Sequence, residues 1–289
     1  MLGTALVRRL RAAGLPVRVL TREPGRAAHL REAGVDVATG DLRDIATLRA
    51  AFRGADTVVA AAHGFGSDDT VSPETVDRIG NINLVDAAAE AGASVVLMSG
   101  VLAAADSKLE LFRAKHAAEE HLKASGTAWT IVRATAFVET WAGIMGPALL
   151  KTGRVIVFGR GENPINFVSV VDVAALTERV VSDAALRGDI IEIGGSANSS
   201  FSEFATMVGE ALGRPSHARH IPRGMLRAMS VLARPFKPSF ARHAAAAVLM
   251  DTQDMTFDDS AVRRRFPDLP NTLVPAALGA FFRARGTQA

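Results

Sequence analysis

The 289-residue chain has no cysteine and no tyrosine. Without cysteine there are no disulfides, no thiolate metal sites and no cysteine nucleophile. Without tyrosine no phenol is available as a proton donor. No apolar run reaches the ~20 residues that a membrane-spanning helix needs. The longest weakly polar stretch, residues 134–150, contains Glu139 and a Gly146-Pro147 pair. Arg8, Arg9 and Arg11 interrupt the first apolar run, so no signal peptide is expected. Acidic residues are missing from the first 22 positions and again from residues 211–250. The total charge is nevertheless close to balanced, with 33 Lys and Arg against 30 Asp and Glu, an excess too small to mark a nucleic-acid binder by itself.

Hydrophobic residues make up 48% and charged residues 22%, enough to build and solvate an ordinary core. The first half alternates helix and strand patterns. Residues 4–13 place Ala5, Leu6, Leu10 and Ala13 on one helical face before Gly14. Residues 17–20 and 35–38 read as short strands, 44–52 as a helix and 57–62 as an unbroken apolar strand. A helix over 73–91, a strand over 94–98, a helix over 108–124 and a strand over 129–132 follow. Strands separated by helices of this length predict βαβ units and a parallel sheet. Beyond residue 150 the pattern is less regular, with strands predicted at 155–158, 166–170 and 190–193 and a helix at 172–182. Ser200 and Glu203 form a capping box for a helix to Leu212. The predicted fold is α/β, a Rossmann-like doubly wound parallel sheet with a smaller, mostly helical C-terminal lobe. Residues 1–150 form its core, 151–198 join it, and 199–289 form the lobe.

Several motifs stand in a characteristic order. They are Met1-Leu2-Gly3, Val17-Arg18-Val19-Leu20-Thr21-Arg22, Gly40-Asp41-Leu42, Val96-Leu97-Met98-Ser99, Lys115 with Glu119, Trp129-Thr130-Ile131-Val132-Arg133, and Val171-Asp172-Val173-Ala174. In this order the chain resembles the NmrA-like branch of the atypical short-chain dehydrogenases, which bind NAD(P)H. That family's fingerprint reads Gly-Ala-Thr-Gly-Met-Leu-Gly, so the chain matches it from the fifth position. The resemblance implies a central strand between those at 17–20 and 57–62, and a translation start about ten residues upstream. A strand of five buried side chains at roughly 2 kcal/mol each is comparable to the ~5–15 kcal/mol of a whole domain.

The resemblance also assigns candidate residues. Gly3 stands where the first helix approaches the dinucleotide phosphates, and is equally a plain helix-start glycine. Arg22, with the Thr21 hydroxyl beside it, occupies the place of the acidic residue that holds the ribose 2′-hydroxyl of NAD. It therefore suits the 2′-phosphate of NADP, or is an exposed loop arginine. Asp41 and Leu42 fall on the adenine, or Asp41 caps the next helix. Ala61 and Ala62 lie beside the dinucleotide crevice, and His63 follows in the loop, where it contacts substrate or is simply a solvated loop histidine. Ser99 and Lys115 carry the chemistry. Four residues before Lys115, where the family's relatives place the catalytic tyrosine, stands Leu111. Lys115 then holds the nicotinamide ribose or donates the proton itself, unless it is a surface lysine paired with Glu119. Ser99 bonds substrate or ends its strand. Phe137 stacks near the nicotinamide or packs in the core, after Arg133-Ala134 in place of the family's Arg-Pro.

The implied function is an NADPH-dependent oxidoreductase acting on a small carbonyl or quinone-like acceptor without a tyrosine acid, with NADP(H) preferred over NAD(H). A quinone suits the missing tyrosine, because its reduced oxygens take protons from water. A non-catalytic NADP(H) sensor that binds a partner protein is the alternative, and a sugar epimerase or dehydratase the third. No metal, nucleic acid or membrane partner is expected, and the default location is the cytoplasm. The basic segment 211–250 either covers the substrate cleft and attracts an anion, or forms a solvated arginine face on amphipathic helices.

Overall fold

A computed structural model describes residues 1–66 and 68–286. Helix α1 (Leu2–Ala12) leads into β1 (Arg18–Thr21), α2 (Ala28–Glu32), β2 (Asp36–Thr39), α3 (Ile45–Phe52) and β3 (Thr57–Ala60). A π-helix over Pro73–Gly80 runs directly into α4 (Asn81–Glu90). Then come β4 (Ser94–Gly100), α5 (Glu110–Ala124), β5 (Trp129–Ala134), β6 (Ala136–Phe137), α6 (Val138–Thr152), β7 (Arg154–Phe158), β8 (Pro164–Val168) and α7 (Val170–Ser182). The chain closes with β9 (Ile190–Ile193), β10 (Asn198–Ser200), α8 (Phe201–Ala211), β11 (His217–Ile221), α9 (Arg223–Leu232), α10 (Pro238–Met250), α11 (Ser260–Arg265) and α12 (Val274–Arg283).

The main sheet is parallel, in the order β3-β4-β5-β9, with Val59 opposite Val96 and Val132 opposite Ile191. β4 is buried along nearly its whole length, as its unbroken apolar run requires of a strand covered on both faces. β1 and β2 pair in parallel as a separate two-stranded sheet, and β1 makes no ladder with β3. The break falls between the strands where the sequence places it. α3 bridges it on one face, where Leu48 and Phe52 pack with Val58 and also reach Leu20 and Ala38. On the other face Leu2 of α1 joins Val96, Met98 and Val132, together with Val173 and Leu176 of α7.

A second core brings α6, β7 and β8 together with α8 and α12 around Phe167, Phe201 and Phe204. A division at residues 198–199 therefore does not separate the two cores, because α6 precedes it and packs with the helices that follow it. The 15-residue α6 lies where the sequence pattern predicts no helix, and Pro147 lies inside it. Asp172 is buried and accepts the Thr272 amide at 2.9 Å and its hydroxyl at 2.6 Å. The Val-Asp-Val-Ala motif thus ties α7 to the C-terminal segment. Glu139 accepts the Ser169 hydroxyl at 2.8 Å and the Val170 amide at 3.0 Å. Its burial pushes the carboxyl pKa above the ordinary value, against the pull of these two bonds.

Candidate functional site

The parallel strands end where β3 and β4 hand the chain to loops, and that edge collects the polar groups. β3 stops at Ala60, two residues earlier than predicted, so Ala61 and Ala62 lie in the following turn. Ala61 packs against the α1–α7 core, and Ala62 is exposed. Gly64 comes next. A Cβ there would stand 2.1 Å from the Ser72 carbonyl oxygen, so the two backbone segments meet at a distance only glycine permits. The Gly64 amide donates to Asp77 Oδ2 at 2.7 Å.

Asp77 lies in the π-helix and is completely buried. Ser72 and Thr75 cap that helix reciprocally. The other Asp77 oxygen, Oδ1, stands 3.0 Å from the Lys115 Nζ. The contact is an ion pair whose alignment falls short of a hydrogen bond. Lys115 is only 12% exposed and also donates to the Met98 carbonyl at 3.2 Å. One residue further along β4, the Ser99 hydroxyl is buried without a partner among the described residues. The His63 side chain is open to solvent at its rim, yet crowded enough by surrounding atoms that its pKa falls below the ordinary value. The Asp77 charge opposes that fall, whereas Lys115 and the N-terminal ammonium reinforce it. Leu2 lies in the core against which Ala61 packs, so the start of α1 is close to this cluster.

The sequence reading named Lys115 and Ser99 but passed over Asp77. The signal was present. Positions 77, 81, 84 and 88 follow helical spacing, and Asp77, Asn81, Leu84 and Ala88 are all buried. A carboxylate on the apolar stripe of a helix needs a partner. The pairing of Lys115 with Glu119 is corrected: Glu119 is buried against Arg133, with bonds of 2.6 and 3.0 Å. Lys115 is thereby left to Asp77.

At the far end, Thr21 uses its hydroxyl to accept the Glu23 amide at 3.1 Å and so shapes the turn after β1. Arg22 is exposed and close enough to Asp41 and Asp68 to act on both charges. Arg43, absent from the sequence reading, grips Asp41 with contacts between 2.6 and 3.1 Å. That side-chain bond holds the Asp41 carboxyl below its ordinary range, and Arg22 adds a weaker pull. Asp41 does not cap the next helix; Asp44 does, accepting the Ala46 amide at 3.0 Å. Leu42 is half-buried against the α3–α4 core and gives its carbonyl to Asn83 at 3.0 Å. Gly3 is exposed, and a Cβ there would meet nothing within 4 Å, so helix packing does not demand glycine. Phe137 packs half-buried on the core around Val132, Ala134 and Val168. No group of His, Asp and Glu residues suited to hold a metal ion occurs among the described residues.

These features suit an anionic dinucleotide. The N-terminus of α1 has no side-chain cap and no acid in its first turn, leaving amide donors and a positive helix end free. The orphaned Ser99 hydroxyl and the Lys115 ammonium stand at one end of the edge, and the Arg22–Arg43 pair at the other. The NAD(P)H-binding family model matches residues 1–184. The chain belongs to the NAD(P)H-binding family. It is 29% identical over 216 residues to an NAD(P)H azoreductase of Xenophilus azovorans, covering 74% of this chain and 71% of that one. It is 26% identical over 270 residues to the photosystem II assembly factor Ycf39 of Synechocystis, covering 92% and 82%. The NADPH-dependent quinone oxidoreductase of Escherichia coli, solved with NADPH, superposes with a TM-score of 0.76 at 23% identity, covering 98% and 96%. At that identity the superposition speaks for a Rossmann-like fold alone. The chain presents a buried lysine–aspartate pair and has no tyrosine.

Proposed function

We propose that this NAD(P)H-binding protein is an oxidoreductase that prefers NADPH and reduces a quinone-like or similarly conjugated acceptor. The observation that carries the reading is the buried Asp77–Lys115 pair beside the unpartnered Ser99 hydroxyl, at the carboxyl ends of the parallel strands. A bound nicotinamide supplies the hydride. Around it, the α1 amides hold the pyrophosphate, Arg22 and Arg43 the 2′-phosphate, and Lys115 the ribose hydroxyls. Asp77 fixes the Lys115 ammonium by charge, and through Gly64 it fixes the loop that carries His63. Ser99 offers a hydroxyl to substrate. A quinone that takes up the hydride becomes the hydroquinone monoanion, which takes its one further proton from water, so no tyrosine is demanded; Lys115 is the protein group placed to deliver that proton. Small-carbonyl reduction needs a stronger proton donor at the oxygen and ranks behind.

Steady-state NADPH oxidation at saturating cofactor, across benzoquinones, naphthoquinones and azo dyes, tests the reading. Turnover should exceed the protein-free rate and fall by about 10²-fold or more in Lys115→Ala, the scale of a misplaced nicotinamide once its ribose is no longer held. A second reading, an NADP(H)-binding protein that acts through a partner, is supported by the likeness to the assembly factor over most of the chain. Tight NADPH binding with no acceptor turned over would favour it.

A further inference from the structure

The segment without acids folds into a helical hairpin, and its tip is apolar. Twelve large hydrophobic side chains are exposed among the described residues, and five of them (Met225, Val231, Leu232, Phe236 and Phe240) fall on the α9–α10 hairpin. Phe236 is 83% exposed and Leu232 71%. Only Leu226 of α9 is buried, so this helix lies on the protein with most of its circumference outward. Arg227, Arg234 and Lys237 are exposed between these side chains and make no ion pair within 4 Å among the described residues, although Lys237 is near enough to act on the Asp69 charge. Arg223 is already engaged by the buried Asp251 at 3.1 Å. Aromatic and aliphatic tips interleaved with unpaired cations cost free energy in water and gain it at an anionic bilayer surface.

The hairpin also borders the candidate site. The Ser239 amide at the start of α10 donates to Asp69 at 2.8 Å, and Arg242 donates to the Val71 carbonyl at 2.9 Å. The His243 ring packs against Phe65 at 4.7 Å. Phe65 and Asp69 belong to the loop that begins with His63 and Gly64. The tip of the hairpin thus protrudes beside the edge where β3 ends.

We propose that the α9–α10 tip is a docking face for an anionic lipid bilayer, laying Val231, Leu232, Phe236 and Phe240 into the interfacial layer while Arg227, Arg234 and Lys237 meet the headgroup charge. A bilayer fits better than a protein groove. Side chains this exposed sit in no pocket of their own, and a diffuse negative surface satisfies scattered cations without directional partners. Docking crosses no bilayer: no helix among the described residues is long and apolar enough to span one. The proposal departs from the expectation of no membrane partner. That docking brings the site to an acceptor dissolved in the bilayer rests on the reductase reading; the docking itself does not.

Co-sedimentation of the full chain with vesicles tests it, comparing pure phosphatidylcholine with a mixture containing about one-third phosphatidylglycerol. The full chain should pellet with the anionic vesicles and not with the neutral ones. Raising salt from about 50 to about 500 mM should weaken pelleting severalfold, as screening of a surface interaction requires. Leu232→Ser with Phe236→Ser, and separately Arg234→Glu with Lys237→Glu, should each cut partitioning by about tenfold or more. NADPH binding, read by fluorescence, should stay unchanged in both; it also shows that the variants are folded. Equal pelleting on neutral vesicles, or parental pelleting by both variants, overturns the proposal. So does failure to pellet joined to a concentration-dependent dimer, or to capture of an acidic protein, that Leu232→Ser with Phe236→Ser abolishes. Quinone turnover does not enter this readout, so loss of the reductase reading and loss of docking are seen separately.

Discussion

Replacing Asp77 by Asn tests the centre of the site. The asparagine oxygen can still accept the Gly64 amide, now 2.7 Å from Asp77 Oδ2. Its amide group then faces Lys115, whose Nζ stands 3.0 Å from Oδ1, so a donor meets a cation. Asp77 is fully buried and Lys115 is 12% exposed, so solvent repairs little of the loss. Removing one member of a buried pair costs about 3–5 kcal/mol. In a chain of this size each kcal/mol moves the thermal midpoint by ~2–4 °C, so a fall on the order of 10 °C is expected. Lys115→Met should also destabilise, because it strands the carboxylate. The double variant should be less destabilised than the two losses summed, by about 1 kcal/mol or more. Thermal unfolding followed by circular dichroism gives all four corners of the cycle. A second readout separates charge from packing. Asp77 holds the His63 pKa up against crowding and Lys115, so in Asp77→Asn the imidazole should titrate still lower by NMR. Additive midpoints, or an unmoved His63 titration, would refute the pairing.

Arg22→Glu should raise the Kd for NADPH by roughly 10- to 100-fold, the scale of a lost charge-assisted bond, and change NADH little. Equal losses for both cofactors, measured by fluorescence titration, would remove Arg22 from the phosphate site. Gly64→Ala must displace either its own loop or the Ser72 carbonyl and break the bond to Asp77, which should cost about 1–3 kcal/mol. A parental melting curve would show that the loop yields freely. Glu139 has its folded pKa raised by burial, so its contribution to stability is full below the ordinary carboxylate pKa and is lost as pH rises through the folded value. The difference between Glu139→Gln and the parent should therefore shift in favour of the variant as pH rises above the ordinary carboxylate pKa. Parallel stability–pH curves would count against that assignment.

Much of the architecture follows from local rules that the residues carry with them. Alternating helix and strand patterns and the capping box at Ser200 and Glu203 are visible because period and capping are properties of neighbouring positions, whereas the apolar run at 57–62, read as covered on both faces, became β3, an edge strand buried only at alternate positions. The break between β1 and β3 was foreseeable only through the family resemblance, which implies a further strand there. The long helix α6 was not, because apolar Ile144 on its outer face and Pro147 inside it blur the buried stripe of Val138, Ala142, Met145 and Leu149.

The site divides the same way. Lys115, Ser99 and Arg22 stood out by type and position, since each is a group that chemistry or phosphate binding needs. Their partners did not. Lys115 has Glu119 four residues away and Asp77 thirty-eight residues away, and local spacing favours the first. Only tertiary packing gives Glu119 to Arg133 and leaves the lysine to Asp77. The acid-free stretch from residue 211 to 250 is plain in the sequence, but composition does not say which side chains face water. That is decided by which face of α9 and α10 the rest of the protein covers, and it leaves Leu232 and Phe236 outside. Residue type and local pattern are properties of the chain itself; ion-pair partners and exposed surface depend on which distant segments pack together.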